Sequence, residues 1–262
     1  MAPGFRWITL DVNDLLPHYW RQDVMAASRA ADCRDFPCTP VLSREAPEVR
    51  SIPRGRVHSH QVRQHLPWLV DLYLHPFIQL ISEAWQEPVV PATDDRYSVV
   101  LNVQRGRSMR FECHVDSNPL SGLLFFTDHP QGGELCFARS PAASGMAGID
   151  EDCSVIHPQT GHLVFFDGRT HPHYARPLRA DTDVRVLAAM NYYTKSFPES
   201  TRPQRLNRHL YGDPVLSVYS RLKGVFVRTG ARGDSAVVPA DRRRSAEADR
   251  RGNPPAGPTI AS

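Results

Sequence analysis

No CxxC pair occurs among the five cysteines Cys33, Cys38, Cys113, Cys136 and Cys153. An odd count without paired spacing excludes a disulfide framework as the organising device and points to a reducing cytoplasm. Long apolar runs are also missing. The best stretch, residues 66–85, is interrupted by Asp71, His75, Pro76 and Glu83, whereas a membrane span needs roughly 20 consecutive apolar residues. Residues 1–12 lack a basic segment followed by an apolar one, so no secretory signal is expected. Charge of one sign is scarce. A net charge of +3 over 262 residues is too dilute for a phosphate-tracking surface, and no nucleic-acid partner is expected. Glycine is outnumbered by proline, 16 to 23, which favours many interrupted elements over a long bundle or coiled coil.

What remains is an ordinary soluble balance, with 41% hydrophobic and 23% charged residues, enough to build one sizeable core. Residues 1–229 read as a single domain. Residues 230–262 carry Arg242-Arg243-Arg244, Arg250-Arg251 and a Pro/Gly/Ala ending, with few large apolar side chains. Such a composition does not offset its ordering entropy, and a disordered tail is expected there.

The first part of that domain, 1–95, reads as mainly helical. Leu15, Leu16, Tyr19, Trp20, Val24 and Met25 recur near helical spacing, and Leu66 begins a longer stripe through Leu69, Tyr73, Phe77, Ile81 and Trp85. Pro76 divides that stripe into two helices. The Pro/Arg/Ser-rich stretch 38–60 reads as a loop and a candidate lid. From residue 96 to 195 the pattern changes to short β-rich segments: 97–104, 109–115, 120–127, 134–138, 162–166, 173–177 and 184–193, separated by Gly, Pro and Asp turns. Helices followed by about seven strands predict an α+β fold, an antiparallel β-sandwich with helices outside.

Three features carry chemistry. His114 and Asp116 stand two apart on a strand and so share a face, offering an imidazole and a carboxylate to one metal. The segment 162–178 runs from a buried strand through a turn to His171 and His173. A histidine from there would complete two imidazoles and one carboxylate, a set that binds one face of Fe(II) and that zinc also accepts. Arg185 lies in the apolar strand 184–190, where a guanidinium needs an anionic partner; an internal salt bridge is the bland explanation.

In order and spacing these pieces resemble the Fe(II)/2-oxoglutarate-dependent oxygenases, most closely the prolyl-hydroxylase-like branch. The matching pieces are a strand ending at Gly106, His114-x-Asp116, Gly132-Gly133-Glu134-Leu135-Cys136-Phe137, Pro158 with 161–166, His173 followed by Pro177, and Arg185. The resemblance implies a double-stranded β-helix with iron on His114, Asp116 and His173. It also implies 2-oxoglutarate and dioxygen as cosubstrates, with Arg185 on the far carboxylate of 2-oxoglutarate. Many relatives have a Tyr where this chain has Asn102, which is assigned to the cosubstrate. The spacing to Pro177 favours His173 over His171, and Arg179 falls in a turn where relatives do not place the arginine.

The run 111–130 is similar to actinobacterial enzymes that halogenate or hydroxylate free amino acids. Because Asp116 is retained, halide has no vacant ligand position and hydroxylation of a small molecule, such as a free amino acid or a natural-product intermediate, is expected. A protein or peptide hydroxylase, a zinc hydrolase and a non-enzymatic metal protein are the alternatives. Glu112, Asp128, His129, Arg105, Arg110, Asn191 and Tyr193 flank the site as candidate substrate contacts. Leu123, Phe125, Leu135, Phe137 and Phe165 are candidate apolar walls.

Overall fold

The structure, a computed structural model, describes residues 5, 7–39, 41–203 and 206. The chain divides into two units, Met1–Pro214 and Val215–Ser262. Every described residue belongs to the first, and the stretch 230–262, expected to be disordered, lies outside the described residues.

The strands are β1 (Trp7–Asp11), β2 (Asp32–Pro37), β3 (Ser51–Val57), β4 (Val89–Pro91), β5 (Val99–Arg105), β6 (Leu120–Phe125), β7 (Leu135–Ala138), β8 (Cys153–Ile156), β9 (His162–Phe166), β10 (His173–Ala175) and β11 (Val184–Thr194). The helices are α1 (Trp20–Ser28), α2 (Ser59–His65), α3 (Pro67–Leu74), α4 (Pro76–Trp85) and α5 (Gly145–Asp150). Pro76 opens α4 and ends α3 at Leu74, as a residue without an amide donor requires.

An eight-stranded sheet runs β1-β9-β6-β11-β5-β3-β2, with β4 also paired to β11, and a three-stranded sheet runs β10-β7-β8. All pairings are antiparallel. An isolated bridge between His114 and His173 extends the smaller sheet by one rung, and a second joins His114 to Ser43. The two sheets face each other as a double-stranded β-helix.

Side-chain alternation sorts the large sheet into two faces. Val99, Leu101, Val103, Leu120, Leu124, Val186, Ala188, Met190 and Tyr192 pack against Trp20, Val24, Val62, Leu66, Leu69, Tyr73, Phe77 and Ile81 of the helices. Leu123, Phe125, Val164, Phe166 and Leu187 turn the other way, onto Leu135, Phe137 and Ala175 of the small sheet. β6 is buried along its full length because both of its faces are covered.

Several local expectations need correction. Within the part read as helical, β2 and β3 are strands, and β3 lies in the stretch read as a loop. Only His114 of residues 109–115 pairs as a bridge, so that segment is not a regular strand. Phe165 points to the helices; its neighbour Phe166 faces inward. The short helix α5, with Gly145 and Gly148 among six residues, has no helical signal to announce it.

Candidate active site

Two backbone hydrogen bonds make the site. His114 N–H donates to the His173 carbonyl at 2.9 Å, and His173 N–H donates back to the His114 carbonyl at 2.8 Å. This reciprocal rung sets two sequence-distant imidazoles side by side, with ring centroids 4.4 Å apart. The Asp116 amide donates to Gly168 O at 3.0 Å, which turns its carboxylate toward both rings. Asp116 Oδ1 lies 3.5 Å from His114 Nε2 and 3.7 Å from His173 Nε2. The three side chains form a group able to hold one metal ion.

Each imidazole is oriented by a backbone carbonyl. The ring Nδ1 of His114 is 2.7 Å from Glu112 O, and that of His173 is 2.9 Å from His171 O. Donation from Nδ1 leaves the Nε2 lone pair facing Asp116, the tautomer that a metal requires. Ser121 Oγ donates to Asp116 Oδ2 at 2.7 Å and is itself held by Asn118 Nδ2 at 2.9 Å. Phe137 stacks on the His173 ring at 4.7 Å. Gly168 leaves the space for this packing. A Cβ there would lie 2.5 Å from Asp116 Oδ2 and 2.7 Å from His173 Cε1.

The electrostatics suit a cation. Burial opposes ionisation of Asp116, but the two imidazoles and the Ser121 hydroxyl hold its pKa well below the usual carboxylate range. Burial, reinforced by neighbouring His114, pushes His173 down to about 4. Burial also acts downward on His114, yet the hydrogen bond and charge of Asp116 outweigh it and raise its pKa.

Opposite the triad, the same cavity of about 140 Å³ is lined by Arg185 and Asn102 together with Leu123, Leu135, Phe166 and Leu187. Arg185 is only 1% exposed. Its Nη1 donates to Gln104 Oε1 at 2.7 Å, whereas Nε and Nη2 have no hydrogen-bond partner. Among the described residues it forms no ion pair within 4.0 Å. Burial therefore pushes its pKa down to about 9, and Glu134 is the charge that opposes the fall. Two parallel, orphaned N–H groups in a buried fork fit a carboxylate. Gly133 lets the backbone pass close by, since a Cβ there would meet Arg185 Cδ at 2.8 Å.

His171, by contrast, lies 3.0 Å through Nδ1 from Ala138 O and rests against Phe5. Arg179 donates to Gln131 Oε1 at the surface. Of the flanking candidates, Asn191 lines the cavity, its amide donating to Tyr97 O at 2.6 Å. Glu112 does not. Both its oxygens are taken by the Thr39 amide and hydroxyl, at 2.7 and 3.0 Å. Asp128 accepts the Thr160 amide, His129 contacts Val184 O, and both line a separate hollow beside α1. Arg105 donates to Ser28 O, Arg110 pairs with Glu45 at 2.6 Å, and Tyr193 packs with Tyr97. These five do not reach the cavity.

Sequence reasoning passed over Ser121, Gln104, Arg56, Phe111 and Thr39. Ser121 and Gln104 share the inward parity of Leu123 and Asn102, which was a readable signal. Arg56, Phe111 and Thr39 reach the site through long-range pairing that no local pattern encodes. From the stretch 38–60, Thr39, Leu42 and Arg56 line the cavity, with Val115 N–H donating to Leu42 O and Arg44 N–H to Cys113 O.

No protein-family model matches the sequence, and no curated protein matches it. Solved structures do. The α-ketoglutarate-dependent non-heme epimerase SnoN from nogalamycin biosynthesis has a TM-score of 0.54 at 13% identity, over 80% of this chain and 85% of that one. AviO1 from Streptomyces viridochromogenes gives 0.53 at 17% identity, over 76% and 94%. A 2OG-Fe(II) oxygenase-family oxidoreductase from Burkholderia pseudomallei gives 0.51 at 13% identity, over 75% and 89%. No described helix is long and apolar enough to cross a membrane. With its His-Asp-His group at the mouth of two facing sheets, this chain has the double-stranded β-helix fold of the Fe(II)/2-oxoglutarate oxygenases.

Proposed function

We propose that this chain is an Fe(II)- and 2-oxoglutarate-dependent oxygenase that hydroxylates an unactivated C–H of a small molecule, with His114, Asp116 and His173 as metal ligands. The observation that carries this reading is Arg185. A hydrolase using the same three ligands has no use for a buried guanidinium with two unpartnered N–H groups across the cavity, and leaving such a charge uncompensated costs several kcal/mol. A dicarboxylate cosubstrate supplies the missing partner.

Each residue then has a task. Glu112 O and His171 O hold the imidazole tautomers, Ser121 fixes the Asp116 carboxylate, and Arg185 with Gln104 orients the distal carboxylate of 2-oxoglutarate. Asn102, on the inward face of β5, offers an amide toward the same ligand. When bound, Fe(II) with 2-oxoglutarate and dioxygen supplies the oxidising power to remove hydrogen from a carbon. Leu123, Leu135, Phe166 and Leu187 exclude water from that space. Retention of Asp116 supports hydroxylation over halogenation, and a cavity of only about 140 Å³ supports a small molecule over a peptide.

Fe(II)-loaded protein in air is expected to convert 2-oxoglutarate to succinate, faster when the right compound from a panel of free amino acids is present. Absence of any metal-dependent succinate formation contradicts the proposal.

A further inference from the structure

His114 offers its imidazole from a segment that is not a regular strand; a single rung to His173 joins it to β10. In that rung the N–H and C=O of His114 point toward β10, so the amides of its neighbours Cys113 and Val115 point away from it. Cys113 is wholly buried, and a buried N–H needs an acceptor. In a regular sheet a neighbouring strand would provide one. Here the stretch before β3 does so. Val115 N–H donates to Leu42 O at 2.9 Å, Arg44 N–H donates to Cys113 O at 2.6 Å, and the Cys113 amide itself donates to Glu45 Oε1 at 2.6 Å.

Glu45 does more than accept that amide. Its side chain is 4% exposed and grips Arg110 in a two-pronged pair, Nη1 to Oε1 at 2.6 Å and Nη2 to Oε2 at 2.8 Å. The same guanidinium donates to Phe111 O at 3.2 Å. One carboxylate thus ties down residues 110, 111 and 113 on the approach to His114. Desolvation offsets most of the attraction in a buried ion pair, so stability alone does not account for a Glu and an Arg here. The holding stretch is itself anchored, because Gly145 N–H and Ser144 Oγ at the start of α5 donate to Arg44 O at 2.6 and 3.2 Å. A second contact runs beside it. Thr39 donates its amide and hydroxyl to Glu112, whose carbonyl accepts from His114 Nδ1.

We infer that Glu45 is a positioning residue of the metal site, holding residues 110–113 so that the imidazole of His114 meets Asp116 and His173. Glu45 does not line the cavity and acts through the backbone of that segment. The inference rests on the triad being a metal site, as read above. A carboxylate suits the task because it accepts from an amide and a guanidinium at once.

In the test, Co(II) is titrated calorimetrically into the full-length protein, and thermal unfolding of metal-free samples is followed in parallel. Glu45→Ala takes the acceptor from the Cys113 amide and is expected to lower Co(II) affinity roughly 10- to 100-fold, the range for groups that orient metal ligands. Glu45→Gln keeps an oxygen for that amide and should stay much closer to wild type. Leu124→Ala, on the helix face, is the comparison for lost stability alone: its Tm should fall while its Co(II) affinity holds. Wild-type affinity in Glu45→Ala overturns the inference. So does an equal loss in Glu45→Gln, because the carboxylate would then act as a countercharge to Arg110 and not as the acceptor. So does an equal loss in Leu124→Ala, which would make the effect one of stability. Should Glu45→Ala not fold, Glu45→Ala combined with Arg110→Met removes both charges and still deprives the amide; the same loss is expected, and unchanged affinity overturns the inference. A wild type that binds no Co(II) removes the metal reading and this inference with it, whereas wild-type binding that Glu45→Ala leaves intact removes this inference alone.

Discussion

The large sheet has two faces built from the same strands, and they do different work. On β11, Val186, Ala188, Met190 and Tyr192 meet the helices, while Arg185, Leu187, Ala189 and Asn191 face the cavity. On β5, Val99, Leu101 and Val103 oppose Asn102 and Gln104 in the same way. The outward face is mainly apolar, with Arg105 at the end of β5 donating to Ser28 O of α1, and supplies stability. The inward face carries polar groups that stability alone does not call for, including an arginine at 1% exposure with two unsatisfied N–H groups. A period of two lets one strand separate fold from chemistry.

Substitutions on the two faces should therefore diverge. The largest effect is expected from His173→Ala, which removes a ligand and should lower Co(II) or Zn(II) affinity by about two orders of magnitude or more, while His171→Ala leaves it nearly unchanged; calorimetric titration measures both. Leu124→Ala, on the helix face, should cost about 2–5 kcal/mol in denaturant unfolding and leave metal affinity alone. Equal metal loss in Leu124→Ala would break the comparison.

Arg185→Met sharpens it. Stabilisation by 2-oxoglutarate should disappear, yet the ligand-free protein should unfold at the same or higher denaturant concentration, because a buried charge without a countercharge gives way to an apolar chain of similar length. Gly168→Ala should weaken metal binding roughly 10- to 100-fold, since the added Cβ falls 2.5 Å from Asp116 Oδ2, with little change in Tm.

The smallest effect is a pH dependence. His114 has a raised pKa, so a proton competes with the metal there, and affinity should fall as pH drops through and below neutrality. His173, at about 4, is already neutral over that range and adds nothing until pH approaches 4. Metal affinity that is flat from pH 8 to pH 6 would argue against His114 as a ligand.

Much of this arrangement was legible. The spacing of His114 and Asp116 marked them as a pair, although the segment that carries them is not a regular strand and Asp116 is placed by its amide bond to Gly168 O. The break at Pro76 follows from a missing donor, and Arg185 from a charge inside an apolar strand. The illegible parts depend on pairing between distant segments. Nothing local says that residues 51–57, with Pro53 and Gly55 inside them, form a strand against β5 and bury Arg54 and Arg56. Nor does parity alone decide whether Phe165 or Phe166 faces inward, because a one-residue slip exchanges the two faces. The register of β9 on β6, which pairs Phe166 with Ser121, makes that choice.

The central claim is that one divalent iron and one 2-oxo acid meet between His114, Asp116, His173 and Arg185. Anaerobic addition of 2-oxoglutarate to the Fe(II)-loaded protein tests it most directly. A weak visible charge-transfer band should appear in the wild type, need a higher 2-oxoglutarate concentration in Arg185→Met, and be absent in His173→Ala. A wild type that binds Fe(II) and 2-oxoglutarate without developing the band, or a His173→Ala variant that retains it, would contradict the account.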